Sequence, residues 1–247
     1  MGDQAIQDGV DIKPDKFYAR LKTAKVLPTT SQIPVITMED IFRGLVDNGF
    51  DVLGVFISAK LSGTLQSAIT GREALGTKAG KVTIVDSNST SMAMGFQVLA
   101  AARIAEVGAS LADCRELIEK ARGHVGVYFA LDTLEFKHRG GRIGGAQRFI
   151  GSALDLKPIL VLKDGRVEAE GRVRMTRKAL DRLIDLVAER VNGKSNIRLA
   201  TLHANAEQET IDLLDRAGKQ LNPVESLISS LSPVVGTYAG PGTVGLA

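Results

Sequence analysis

Val52-Leu53-Gly54-Val55-Phe56-Ile57-Ser58-Ala59-Lys60-Leu61-Ser62-Gly63-Thr64-Leu65-Gln66-Ser67-Ala68 decides how this chain folds. The apolar run Val52, Leu53, Val55, Phe56, Ile57 stops at Ser58, a Ser-Gly-Thr loop follows, and a helical pattern begins. That order is strand, hydroxyl-lined turn, helix start. A helix N-terminus presents unpaired backbone N–H groups and a partial positive charge. Glycine lets a ligand come close to the backbone, and hydroxyls add donors. The unit suits a small anionic group such as a carboxylate or phosphate. Taken alone it is a weak signal, because capped helix starts are common.

Working outward, the first half alternates helices and strands. Pro14 opens a helix with Phe17, Tyr18 and Leu21 on one side. Pro28 to Gln32 reads as a polar loop. Thr37 reads as the cap of a helix carrying Met38, Ile41, Phe42, Leu45 and Val46. Val82 to Val85 is a second buried strand, ending at Asp86-Ser87, and a helix with Val98, Ala101, Ala102 and Ala105 follows. Ser110 caps the next helix, with Asp113 at the third position. Strands joined by crossover helices predict a parallel sheet, whose ligands sit outside the carboxyl ends of the strands. Ser58, Asp86-Ser87 and the Ser62-Gly63-Thr64 turn should share that edge.

The second half reads differently. Val125 to Leu131 is a strand, His138 to Arg142 a tight basic turn with a helical segment after it, and Lys163-Asp164-Gly165 a three-residue hairpin loop. A helix with Leu180, Leu183, Ile184, Val187 and Val191 precedes a strand over Ile197 to Leu202 and a helix with Ile211 and Leu214. Val234 to Tyr238 reads as a last strand running into Gly240-Pro241-Gly242. The fold class predicted is α/β in two parts. Residues 1–121 form a parallel-sheet α/β domain and residues 122–247 an α+β domain, with the ligand cleft between the halves.

Composition narrows the function. The 247 residues are 44% hydrophobic and 24% charged, ordinary for a globular chain. Aromatic content is 4% with no Trp, which argues against a stacking platform for single-stranded nucleic acid. Cys114, the single cysteine, excludes an internal disulfide and sits on an apolar stripe, so it reads as a buried thiol in a reducing cytoplasm. No run is long enough for a membrane span, the opening residues do not read as a signal peptide, and Ile6 breaks the myristoylation pattern. The net charge is +3, and Lys163 to Arg182 holds seven basic and four acidic residues, the same excess. A solvated face accounts for most of these; an anionic docking patch is the sharper reading.

The chemistry available is limited. A hydrolase needs a nucleophile, a base and an orienting acid. No Gly-x-Ser-x-Gly elbow occurs, and His124, His138 and His203 have no triad pattern around them. Gly71 to Lys78 and Gly76 to Val82 lack the Gly-Lys-Ser/Thr of a P-loop and do not follow a strand. No His-x-x-x-His, paired cysteine or carboxylate cluster points to a metal, and no cofactor is expected. Asp86 suits organising neighbouring N–H groups better than acid–base work.

The turn does not stand alone. Thr29-Thr30-Ser31-Gln32, Ser58-x-x-Leu61-Ser62-Gly63-Thr64-x-Gln66-Ser67-Ala68, Val85-Asp86-Ser87 and Gly140-Gly141-Arg142-Ile143 occur in order. Lys157-Pro158-Ile159, Arg172-Val173-Arg174, His203-Ala204-Asn205 and Gly236-Thr237-Tyr238-Ala239-Gly240-Pro241-Gly242 complete the series. Together they resemble the DegV family of bacterial fatty-acid-binding proteins over nearly the whole chain. The resemblance implies a two-domain protein that is not an enzyme and holds one fatty acid in a tunnel between its domains. It also implies a partner, a fatty acid kinase that converts the presented carboxylate to an acyl phosphate for phospholipid synthesis. By motif position Thr30 and Ser62 would hold the carboxylate, Gly63 and Thr64 would shape the turn, and Arg174 would face the emerging phosphate or the kinase. Tyr238 stands where the family usually has a histidine contacting the carboxylate. The family's first strand and its Thr-Asp-Ser loop have no counterpart, so the first domain is expected to be incomplete at its N-terminus and weakened. The alternative is a hydrolase or phosphatase acting on an acidic small molecule in the same cleft. Nucleic-acid binding through residues 163–182 comes last, because the four acids dilute the field.

Overall fold

The computed structural model describes residues 5–24, 26–134, 136, 140–142, 144–149 and 156–247. His138, Arg139 and Ile143, named in the sequence reading, lie outside them. Packing divides the chain into two units. One is Ser31–Gly126 with Asp164–Arg166, and the other holds the residues up to Thr30 with Val127–Lys163 and Val167–Ala247. This differs from a cut at 121/122 because the opening segment belongs with the C-terminal half. Its helix α1 (Pro14–Thr23) buries Phe17, Tyr18 and Leu21. The Tyr18 hydroxyl donates to the Leu231 carbonyl at 2.9 Å.

The Ser31–Gly126 unit contains α2 (Val35–Asp47), β1 (Val52–Phe56), α3 (Thr64–Glu73), β2 (Val82–Asp86), α4 (Ser91–Glu106) and α5 (Leu111–Ala121). Strands β1 and β2 are parallel, in register from Val52↔Val82 to Phe56↔Asp86. Alternate residues face opposite sides of a strand. Val52, Phe56, Val82 and Ile84 pack with Met38, Phe42 and Ala68 of α2 and α3. Leu53, Val55 and Val85 pack with Ala101, Cys114 and Ile118 of α4 and α5. Packing on both faces explains the unbroken apolar run of β1. Helix α2 starts at Val35 behind Pro34, not at Thr37. Met38 and Phe42 are buried, whereas Ile41 and Leu45 are exposed. The box at Ser110 forms as read: Asp113 N–H donates to the Ser110 hydroxyl and Ser110 N–H to the Asp113 carboxylate. The Ser110 bonds hold the Asp113 carboxyl below the ordinary aspartate value.

The second unit is a six-stranded mixed sheet with helices. Its elements are β3 (Tyr128–Ala130), β4 (Lys157–Lys163), β5 (Arg166–Val173), α6 (Thr176–Val191), β6 (Arg198–His203), α7 (Glu207–Leu221), β7 (Glu225–Ser230), α8 (Pro233–Ala239) and β8 (Val244–Leu246). Arg166 alone of these counts with the other unit. The strand order is β5-β4-β3-β8-β6-β7. Tyr128, Ile159, Leu199 and Leu246 form one core with Leu183 of α6 and Leu213 of α7. The β4–β5 turn is two residues, Asp164 and Gly165, rather than three. Both have positive φ, 49° and 76°, which matches the twist of a hairpin. Val234 to Tyr238 lies inside helix α8, not a strand. Ser232 accepts from Val235 N–H and Pro233 fills the first turn, so the helix is started by its cap in spite of its valines. The helical segment expected after the basic turn is a short 3-10 stretch, Gly144–Phe149.

Candidate functional site

Strand β1 delivers the chain to Ser58, whose groups are all engaged. Its N–H donates to the Ser89 carbonyl at 2.9 Å, and its carbonyl accepts from Leu61 and Ser62 N–H. Its buried hydroxyl accepts from Lys60 N–H and donates to the Gly165 carbonyl at 2.9 Å. Beside it, Asp86 accepts from Asn88 N–H at 2.7 Å and from Ala59 N–H at 3.3 Å. The carboxylate therefore organises two loops, as expected of a residue paired with backbone donors. Ser58 and Asp86 brace the carboxyl edge of the two strands.

On that brace sits the Ser62-Gly63-Thr64 turn. The Ser62 and Thr64 hydroxyls lie 2.9 Å apart, and Ser62 Oγ also accepts from Thr64 N–H. Two hydroxyls carry two protons, and their mutual bond uses one, so one remains to donate. The N–H of Ser67 goes to the Gly63 carbonyl. Among the described residues nothing accepts from the N–H groups of Leu65 and Gln66 in the first turn of α3. The turn thus gathers donors at a helix N-terminus with no basic side chain in it, which is the chemistry of a carboxylate or phosphate seat.

The other unit carries a second hydroxyl pair, Thr30 and Tyr238, hydrogen-bonded to each other. The Arg142 guanidinium lies 5.0 Å over the Tyr238 ring centroid, and its Nη1 donates to the Gly140 carbonyl. A Cβ on Gly140 would collide with the Tyr238 ring, so this glycine makes room for the aromatic. Arg174 stands exposed, one residue beyond β5, with no hydrogen bond or ion pair to Thr30 or Tyr238. The structure therefore joins Ser62, Gly63 and Thr64 in one unit and Thr30 with Tyr238 in the other, and leaves Arg174 apart from that pair. Two contributors went unnamed as site residues in the sequence reading. Gln32 touches Gly63, and Arg142 covers Tyr238. Both lay inside quoted motifs, which was the available signal.

His203, the histidine best placed for hydrolase chemistry, meets Ser230 Oγ at 3.2 Å through Nε2. Its Nδ1 is buried and has no partner among the described residues. A triad needs a carboxylate at that nitrogen.

The profile of a family described as uncharacterised DegV proteins matches residues 1–247. The chain belongs to the DegV family. A DegV domain-containing protein of Streptomyces coelicolor is 34% identical over 249 residues, covering 100% of this chain and 86% of the relative. Solved DegV structures agree. A fatty-acid-binding DegV family protein from Thermus thermophilus is 35% identical with TM-score 0.92, covering 99% of this chain and 87% of that one. DegV of Bacillus subtilis, a fatty acid binding protein, is 28% identical with TM-score 0.87, covering 99% and 86%. Among the described residues no helix of this DegV chain is long and apolar enough to cross a membrane.

Proposed function

We propose that this DegV protein binds a long-chain fatty acid, with the carboxylate received by the Ser62-Gly63-Thr64 turn. The observation that carries this is the paired hydroxyls beside two unsatisfied N–H groups, in a chain whose relatives bind fatty acids. Thr30 and Tyr238 are proposed as further hydroxyl ligands, and Arg142 as the cation that supports them. Charge-assisted hydrogen bonds to the head group stabilise by roughly 1.5–3 kcal/mol each. Burying the tail adds about 0.8 kcal/mol per methylene, so the tail supplies most of the affinity and the head group the orientation. The role is a carrier's, not a catalyst's: the loaded protein presents the carboxylate to a fatty acid kinase in the cytoplasm. The exposure of Arg174 supports a role facing that partner.

The direct test is organic extraction of the purified protein followed by mass spectrometry. Fatty acid near one per chain is expected. An empty protein that turns over an ester would replace the carrier with the hydrolase reading.

Tyr238 allows a second test. A phenol carries no positive charge, and a guanidinium keeps its charge throughout the physiological range. Retention of a fixed fatty acid should therefore stay flat between about pH 6 and 8, the range in which a histidine would titrate. Tyr238→His should introduce a step there, with tighter binding on the acidic side. A wild-type step of the same size would remove Tyr238 and Arg142 from the head-group assignment.

A further inference from the structure

The side chain of Gln32 reaches across the Ser62-Gly63-Thr64 turn. Its Nε2 donates to Ser67 Oγ at 3.0 Å. Its carboxamide also lies against Gly63, so closely that a Cβ added to that glycine would overlap Oε1 and press on Cδ. Gly63 has φ −72° and ψ 0°, which any residue adopts. A methyl group there would therefore push the carboxamide aside rather than strain the backbone. Ser67 is buried, and its N–H closes the first turn of α3 on the Gly63 carbonyl. One carboxamide therefore bonds one end of that turn, at Ser67, and abuts the other, at Gly63. Gln32 is itself exposed, so it buries little surface that would stabilise the fold.

From this geometry we infer that Gln32 is a positioning residue for the anion seat. It fixes Gly63 against Ser67 and so fixes the Ser62 and Thr64 hydroxyls and the open N–H groups of Leu65 and Gln66. The inference rests on the proposed role of the turn and adds to it the device that holds the donors in place before the ligand arrives. Pre-organised donors bind better because less order is lost on binding.

The test is a double-mutant cycle on the full chain: wild type, Gln32→Ala, Gly63→Ala and the double variant. Two quantities are read, oleate affinity and amide hydrogen exchange at Thr64 and Ser67. Gln32→Ala should weaken oleate binding about tenfold and speed both amides about as much, an amount typical of one lost hydrogen bond, with little change in melting temperature. Gly63→Ala should be harmful in the wild-type background and nearly neutral once Gln32 is alanine, because the overlapping group is gone. Equal cost of Gly63→Ala in both backgrounds overturns the inference. So does a Gln32→Ala protein with unchanged exchange. If the wild type binds no oleate, the fatty-acid reading fails, while the exchange cycle still decides whether Gln32 holds the turn.

Discussion

Replacing Thr30 and Ser62 together with alanine is expected to strip the protein of its fatty acid. Each hydroxyl stands to give a charge-assisted bond of roughly 1.5–3 kcal/mol, so the pair should lower affinity by roughly a hundredfold to ten-thousandfold. The fold should survive. Both side chains are only half-buried, and neither belongs to an apolar core cluster. Ser62→Ala removes the acceptor for Thr64 N–H, which leaves one more open donor at the helix start and no apolar cavity. Thr30→Ala frees the Tyr238 phenol. The measurement is the lipid-to-protein ratio after purification, with titration calorimetry against oleate on delipidated protein. Full occupancy in the double variant would put the head group somewhere else.

Tyr18→Ala should produce the largest loss of stability. The ring is completely buried, packs edge-on against Phe17 at 5.3 Å, and its hydroxyl donates to the Leu231 carbonyl. A Cβ on Gly236 would strike this tyrosine, so α8 is shaped around it. Removing a buried aromatic ring costs about 3–5 kcal/mol. For a chain of this size that is a fall of about 6–20 °C in melting temperature. Tyr18→Phe should cost about 1–3 kcal/mol, since it leaves the Leu231 carbonyl unpaired. Limited proteolysis of Tyr18→Ala should cut first before residue 31, where the anchored segment ends. Burial, with Asp8 adding repulsion, raises the Tyr18 hydroxyl pKa well above the ordinary tyrosine value. The neutral form is thus favoured in the folded state. Its contribution is complete below the unfolded value of about 10 and is lost as pH rises beyond it, because only the unfolded chain then releases the proton. Tyr18→Phe should flatten that alkaline loss. A Tyr18→Ala protein that melts like the wild type would detach the first segment from the C-terminal unit.

What could be read from the sequence was local. The β1–turn–α3 unit was legible because a strand packed on both faces leaves an unbroken apolar run, and because Ser, Gly and Thr mark a turn. The Ser110–Asp113 box was legible because its partners are three residues apart. Helix α8 was misread because seven residues, with two adjacent valines, show no helical period, and its start depends on Ser232 and Pro233. The short β8 and the half-exposed β7 gave no alternation strong enough to notice. In the site, hydroxyls were visible by type, but their partners were not. Thr30 meets Tyr238 across 208 positions, and Gln32 meets Ser67 across 35. No spacing rule reaches that far. The same distance explains why a cut at 121/122 and the packing units differ over the opening helix.

That distance also matters while the chain is being made. Tyr18 and Leu231 are 213 residues apart. At about 5–20 residues per second, a ribosome needs roughly 10–40 s to travel from one to the other. During that interval the apolar side of the first helix, Phe17, Tyr18 and Leu21, has no permanent neighbour to cover it. The nascent protein therefore carries an uncovered greasy face while these 213 residues are added, and a chaperone that shields such a face during synthesis should raise its yield more than one that acts after release.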